Sequence, residues 1–441
     1  GSAVATRILK FTGTISGNRI VTMPVGVENF YIIKNETSGA HTVQLKAASG
    51  SGATVTWATT EKGWKYVYFD GVATNTGVYD FADGLFTGDL TVNGNLTVDG
   101  GTIKLDGNYP VGTDNVALGN TALDSVEAGG VGNVAIGSKA GTAITTGDNN
   151  VAIGTCSLAA NTTGTNGVAV GCGALKSNTE GGCNVAVGRI SLQDNTTGAN
   201  NVAIGASALQ TNTTASDNVA IGKSALTATT TGCRNVAIGS QALICNTADN
   251  NVAVGFCALK TNSSGANNTA VGRFALVFNQ TGATNTAVGQ NSLHSNTTAA
   301  DNTAVGAASL YANTTGASNV AIGRQALVAN TTGTQLVAVG CGALAANTTG
   351  GCNTAVGKDA MLANTTGANN AAVGQAALDS NTEGNSNVAM GRNSLASNTT
   401  AGNNTGIGAF ALEQNVTGTG NTAVGQLSLN RNTASNNTAV G

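Results

Sequence analysis

Charge is scarce in this sequence: Asp, Glu, Lys and Arg together make up 9 % of 441 residues. Aromatics are 4 %, and there are only two prolines and two histidines. An ordinary globular surface would be short of solvating groups at this charge density, so Asn, Thr and Ser must take over that role. Disorder is disfavoured too, because 41 % of the residues are hydrophobic and the net charge is only −3. With so little charge and no basic stripe, no nucleic-acid partner is expected. No apolar run reaches the roughly eighteen residues of a helical span, so no membrane insertion is expected. The sequence begins Gly1-Ser2-Ala3 without a charged-then-apolar leader, and it stops at Val440-Gly441 inside a repeat. Repeat arrays normally close on an atypical cap, so a fragment truncated at the C-terminus is expected.

What the sequence has in abundance is one motif. Asn-[Val/Thr]-Ala-[Ile/Val]-Gly recurs from Asn115 onward, ending on twenty glycines from Gly119 to Gly441. Sixteen of the nineteen intervals are 17 residues; the first is 18, and Gly239–Gly255 and Gly425–Gly441 are 16. Both short intervals lose their residue in the same turn, where a deletion does not flip strand side chains. Counting from each glycine, the third residue is always Ala or Ser, as in Ala174, Ser191 and Ala208. The fourth is Leu except at Gly141 and Met361, and the seventh is Asn in 16 of 19 repeats, as in Asn161, Asn178 and Asn195.

Val-Ala-Ile-Gly has the β-branched content of a short strand. Alternation puts its two larger aliphatics on one face and Ala, with the flanking Asn and Gly, on the other. Asn-Thr-Thr-Gly is turn chemistry, and a second short strand is expected around Ala-Leu. A single repeat cannot bury its own Leu and Ile, so neighbours must stack into a continuous core. The expected core is Ile136, Ile153, Leu158, Leu175, Leu192, Ile204, Leu209, Leu226 and Leu243. At a strand spacing of about 4.8 Å, nineteen coils make a rod of roughly 90 Å. A thin coil has one interior, yet the repeat has two restricted faces; the second is expected to be a subunit interface, buried by homotrimerisation. The alternative is an isolated monomeric solenoid with Ala inside the coil.

The repeat resembles two related groups. Asn-x-Val-Ala-Ile-Gly is similar to the head repeat of trimeric autotransporter adhesins, a left-handed parallel β-roll, although those repeats are two or three residues shorter. The full unit, Asn-Thr-Ala-Val-Gly-x-x-Ala-Leu-x-x-Asn-Thr-Thr-Gly, resembles repeats in tail and neck fibres of tailed bacteriophages. Upstream, Leu90-Thr91-Val92-Asn93-Gly94 and Leu96-Thr97-Val98-Asp99-Gly100 look like the intertwined connectors of trimeric phage fibres. The resemblance implies an all-β homotrimer on a virion, a structural and adhesive tail or neck fibre. Its implied partners are its own copies, other virion proteins at the N-terminal end and a host cell-surface receptor. A trimeric adhesin at a bacterial surface is one alternative. An ice-binding solenoid is another, although it needs a flat Thr array and Thr here gathers in turns.

Three regions follow: an N-terminal β module at 1–83 for attachment, a connector at 84–112 and the parallel β-roll solenoid at 113–441. The first module holds both tryptophans, Trp57 and Trp64. Its strand candidates are Ile8–Phe11, Ile20–Met23, Phe30–Ile33, Thr42–Lys46, Thr54–Trp57 and Trp64–Phe69, which suggest a small antiparallel sandwich or barrel.

The residues suggest no catalysis, and no cofactor or metal is expected. His41 and His294 each lack a carboxylate or Cys partner in a recognisable arrangement. Polysaccharide cleavage needs paired carboxylates, but Asp217 and Asp301 share a column five coils apart, and Asp148 and Asp249 share another six apart. All eight cysteines lie in the repeats. Cys172 with Cys183, and Cys341 with Cys352, flank one turn each and could be cross-turn thiol pairs; free, semi-buried residues duplicated with a block of repeats are the other reading. The Asn-Thr-Thr triplets match a glycosylation pattern but are the turn itself. The column after the motif glycine, with Arg189, Lys223, Phe256, Arg273, Arg324, Lys358 and Arg392, is expected to be an exposed rim.

Overall fold

The computed structural model describes residues 8–24, 28–48, 51–70, 78–80 and 112–441, and among them there is no helix. The connector expected at 84–112 lies outside these residues apart from Gly112. The chain divides into two compact units, Gly1–Ile103 and Lys104–Gly441.

The first unit contains two small sheets. One joins β1 (Ile8–Thr14), β3 (Glu28–Ser38), β6 (Gly63–Asp70) and β7 (Val78–Asp80) in that order; the other joins β2 (Arg19–Met23), β4 (Val43–Ala47) and β5 (Val55–Trp57). Alternate residues of β4 and β5 turn inward, so Val43, Leu45, Val55 and Trp57 meet Ile33, Val67, Phe69 and Val78 in one core. The sheets are mixed rather than antiparallel: β1 runs parallel to β3, and β2 parallel to β4. The first four strands alternate between the two sheets, so the partner of β1 is two elements away, an arrangement that strand spacing alone does not reveal.

The second unit is a parallel β-solenoid of about nineteen turns. Its strands run from β8 (Val116–Leu118) to β27 (Thr438–Val440), one per repeat, and each pairs in parallel register with the next. Motif residues align with their counterparts, as in Val151↔Val168, Ala152↔Ala169 and Ile153↔Val170. Hydrogen bonds between coils continue around the perimeter. In the coil after Gly154, the amides of Cys156, Leu158, Ala160 and Thr162 donate to carbonyls of Ser138, Ala174, Lys176 and Thr179 at 2.9–3.0 Å.

No second strand forms around Ala-Leu. That segment is a run of turns in which the second and fourth residues after each motif glycine have positive φ, for example Ser207 at 58° and Leu209 at 50°. Every Leu of this column is left-handed, as are Gly141 and Met361 in the same place. A left-handed L-residue costs about 1–2 kcal/mol, and burying a Leu side chain returns about 1.5–3 kcal/mol; the inward Leu offsets its own strain. The motif glycines have φ of 110–141°, and a Cβ on Gly205 would lie 2.8 Å from the backbone of Gly222 in the next coil. Only glycine fits this column, because the backbone conformation and the stacking both exclude a side chain.

The interior contains the strand Ala, the following Ala or Ser, and the Leu. Ala203, Ala208, Leu209, Ala220, Ala225 and Leu226 are all completely buried. Leu158, Leu175, Leu192 and Leu243 belong to this core. Ile136, Ile153 and Ile204 do not: they lie on the outer face, 37–38 % exposed. Strand alternation correctly groups Val with Ile opposite Ala, but cannot say which group points in. The narrow coil is already filled by Leu and by side chains from the turns, so the small residues face inward and the large ones outward. A Ser in the small column satisfies its hydroxyl locally, as Ser191 Oγ does on the Gly188 carbonyl at 2.9 Å.

Candidate functional surfaces

Two columns of Asn are buried inside the solenoid, and they supply its internal polar framework. The first is the motif Asn. Asn201 accepts the Asn218 amide N–H on its Oδ1 at 3.0 Å and donates from Nδ2 to the Ala215 carbonyl at 2.9 Å. The second is the Asn seven residues after the glycine. Asn178 Nδ2 donates to Asn161 Oδ1 at 2.7 Å and to the Gly181 carbonyl at 3.0 Å, and its own Oδ1 accepts from Asn195 at 2.7 Å. A buried amide is tolerated only when both ends are satisfied; the turn carbonyl supplies one partner of Asn178, and the translational repeat supplies the Asn partners from the adjacent coils. Beside this column the Thr hydroxyls bond across coils as well, Thr162 Oγ1 to the Thr179 carbonyl at 3.1 Å. Turn propensity explains the local half of these bonds; the ladder needs the neighbouring coil, and its sequence signal is the near-invariance of Asn at both positions.

The outer strand face is a regular surface that repeats in every coil. Its first residue is half-buried and its third exposed in most coils, giving parallel columns of β-branched residues that include Ile136, Ile153, Val187, Ile204, Ile221 and Ile238. From β8 through β16 (Val252–Val254) the first column is Val without interruption; Thr enters it at β17 (Thr269–Val271).

The residues singled out for chemistry remain dispersed. Asp217 accepts from Asn200 Nδ2 at 3.2 Å, Asp301 from Thr284 Oγ1 at 2.5 Å, Asp148 from the Val131 amide at 2.9 Å, and Asp249 from the Cys233 amide at 2.8 Å. Each carboxylate therefore bonds a turn of an adjacent coil. All eight cysteines are free thiols. The cross-turn pairs Cys172–Cys183 and Cys341–Cys352 are not formed; Cys352 Sγ instead meets Gln335 Oε1 at 3.2 Å. Burial pushes the Cys257 thiol up from its ordinary pKa. Among the described residues, no group of three or more His, Cys, Asp or Glu could hold a metal ion.

One cluster does form. Phe256, Phe274, Phe278, His294 and Tyr311, from four successive coils, make a continuous set of ring contacts. Phe256 meets Phe274 at 5.5 Å, Phe278 meets His294 at 5.0 Å, and His294 stacks on Tyr311 at 4.6 Å and 13°. The Arg273 guanidinium lies 4.4 Å from the Phe274 ring centre. Burial within the cluster lowers the pKa of His294. Only His294 and Tyr311 share a column; the three Phe occupy others, so the association is visible only once the coil is wound.

Comparison with protein-family models, curated proteins and solved structures finds no match to this chain.

Proposed function

We propose that this chain is the shaft of a homotrimeric structural and adhesive fibre, non-enzymatic, carried on a phage virion as a tail or neck fibre. The observation that carries the reading is the outer strand face. An apolar β-branched ladder facing solvent over coil after coil is unusual for a lone soluble chain, which rarely leaves contiguous apolar patches beyond a few hundred Å². Packing three such faces together would bury it, and a self-repeating surface suits a partner with the same repeat. The trimer interface in this reading is the Val/Ile face, since the small column is consumed inside the coil.

The virion setting rests on the resemblance of the full seventeen-residue unit and of the Leu-Thr-Val-Asn/Asp-Gly segment to phage fibres. The mechanism is mechanical: inter-coil bonding around the perimeter gives stiffness, repetition gives reach, and three copies raise avidity without new contacts per site. The N-terminal module would attach to other virion proteins, leaving the far end to a host receptor.

Light-scattering mass tests the assembly. A mass about three times 43.1 kDa is expected, and a monomer at micromolar concentration refutes it. Replacing Ile204, Ile221 and Ile238 together with Lys places charges on the proposed interface and is expected to yield monomers that keep their β circular dichroism. A trimer that survives this change would remove the Val/Ile face from the interface.

A further inference from the structure

We infer that the aromatic cluster over coils 255–311 is a binding platform for a chain of pyranose sugars. The shaft from 113 to 441 contains five Phe and Tyr residues and one His, and all of them except Phe410 sit in this cluster. Two rings, Phe256 and Phe278, are 46 % and 48 % exposed. The others are half-buried and hold them in place through edge contacts. Polar groups border the rings: the Arg273 guanidinium, the Tyr311 hydroxyl, and His294, whose Nδ1 lies 3.3 Å from Ser295 Oγ. Exposed ring faces beside a few hydrogen-bonding groups match the alternating C–H and hydroxyl surfaces of a pyranose. The coil rise of about 4.8 Å is also close to the length of one sugar unit in a chain.

Other occupants fit less well. A second copy of the shaft would use columns repeated in every coil, whereas these rings occupy four coils in columns that vary elsewhere. Nucleic acid needs a cationic track, and from Gly255 to Gly306 the only cations are Lys260 and Arg273, with Asp301 opposing them. A neutral polymer is the occupant this charge balance suits.

The test uses the full chain and four probes, the hexamers of α-glucose, β-glucose, mannose and N-acetylglucosamine, read by saturation-transfer NMR and calorimetry. At least one hexamer is expected to bind, with affinity falling about tenfold or more in Phe256→Ala/Phe278→Ala and unchanged in Phe410→Ala. Phe256→Leu/Phe278→Leu keeps the apolar bulk without the rings; it should lose binding too, and it replaces the Ala variant should that one lose its β circular dichroism. Failure of all four hexamers to bind, or binding by the Leu variant equal to wild type, overturns the proposal. So does preferential binding of an oligothymidine.

Discussion

From Asn161 to Asn415 the ladder of buried amides seven residues after the motif glycine has one gap, and the gap can be filled. In that column, Thr229 stands where its neighbours are Asn212 and Asn246. Asn212 donates to Asn195 Oδ1 at 2.7 Å and to the Ala215 carbonyl at 3.1 Å, but its own Oδ1 is buried without a partner. The residue that should donate to it is Thr229, whose hydroxyl instead reaches the Asn246 carbonyl at 2.8 Å. The adjoining turn is looser: Thr213 N to the Thr230 carbonyl is 3.4 Å, against 2.8 Å for Thr196 N to the Thr213 carbonyl one coil earlier. Thr229→Asn supplies the missing donor. Satisfying a buried acceptor is worth about 1–3 kcal/mol, and the lost Thr hydroxyl bond subtracts about 1 kcal/mol, leaving a net stabilisation of about 1 kcal/mol at the centre of the range and at most about 2 kcal/mol.

Because coils interact only with neighbours, the gain should remain local and global melting is a blunt readout. Amide hydrogen exchange of Thr213 and Thr214 is the direct one. It should slow about 5-fold, and by no more than about 30-fold, while the corresponding amides near Thr365, far along the rod, are unchanged. Thr229→Ala, which removes the hydroxyl without adding a donor, should speed exchange at the same sites. If Thr229→Asn leaves exchange at Thr213 unchanged or faster, the ladder is not what stabilises these turns.

Three further outcomes are expected. Leu209→Ala should destabilise its coil by about 2–5 kcal/mol, since it opens a cavity in a fully buried position while keeping the left-handed backbone; a local loss below about 1 kcal/mol by hydrogen exchange would contradict the Leu-filled interior. Gly141 and Ile144 replace the usual Leu and Asn of one coil, and a Cβ on Gly141 would lie 2.9 Å from Ile144 Cδ1. Gly141→Leu alone should therefore destabilise, whereas Gly141→Leu/Ile144→Asn should recover much of the loss, with a coupling energy of about 0.5–3 kcal/mol in a denaturation cycle; additivity would refute the compensation. Burial, reinforced by Asp359, raises the pKa of Asp379, whose Oδ1 is buried without a partner. Its native form takes up a proton more readily than the unfolded chain, so stability falls as pH rises from the unfolded carboxylate value through the raised native one. Asp379→Asn should be the more stable protein at pH 7 and lose that advantage below about pH 3.8; equal hydrogen exchange at pH 7 of the Ala363 amide, which donates to the Asp379 carbonyl at 2.9 Å, would contradict it.

Much of the solenoid was legible because its causes repeat. A motif glycine every seventeen residues, deletions confined to the turn and an unvarying Ala or Ser give the period, the strand and the stacking. Inside and outside were not legible. Val151 and Ile153 are the larger residues of their strand, and hydrophobicity alone sends them inward; the structure sends Ala152 inward because Leu158 and the Asn side chains have already taken the space. The left-handed Leu column was invisible for a related reason. Leu has no preference for positive φ, so only the geometry of a tight coil demands it. The N-terminal strands could be located by composition, but the parallel pairing of β1 with β3 depends on which sheet each connection enters.

The same limit governs the surfaces that bear on function. Phe256, Phe274, Phe278, His294 and Tyr311 are unremarkable one at a time, spread over 56 residues in several columns. Winding brings them together because neighbouring coils place positions seventeen residues apart side by side, so column differences of up to three residues remain within ring contact. A repeat protein therefore hides its exceptions in its variable columns, and its regular columns mainly report how it stacks. The invariant Ala, Leu, Asn and Gly of this chain describe how a rod is built. In the reading proposed above, what the rod touches falls to the Val/Ile face, where regularity continues onto the surface, and to the aromatic patch, where regularity stops.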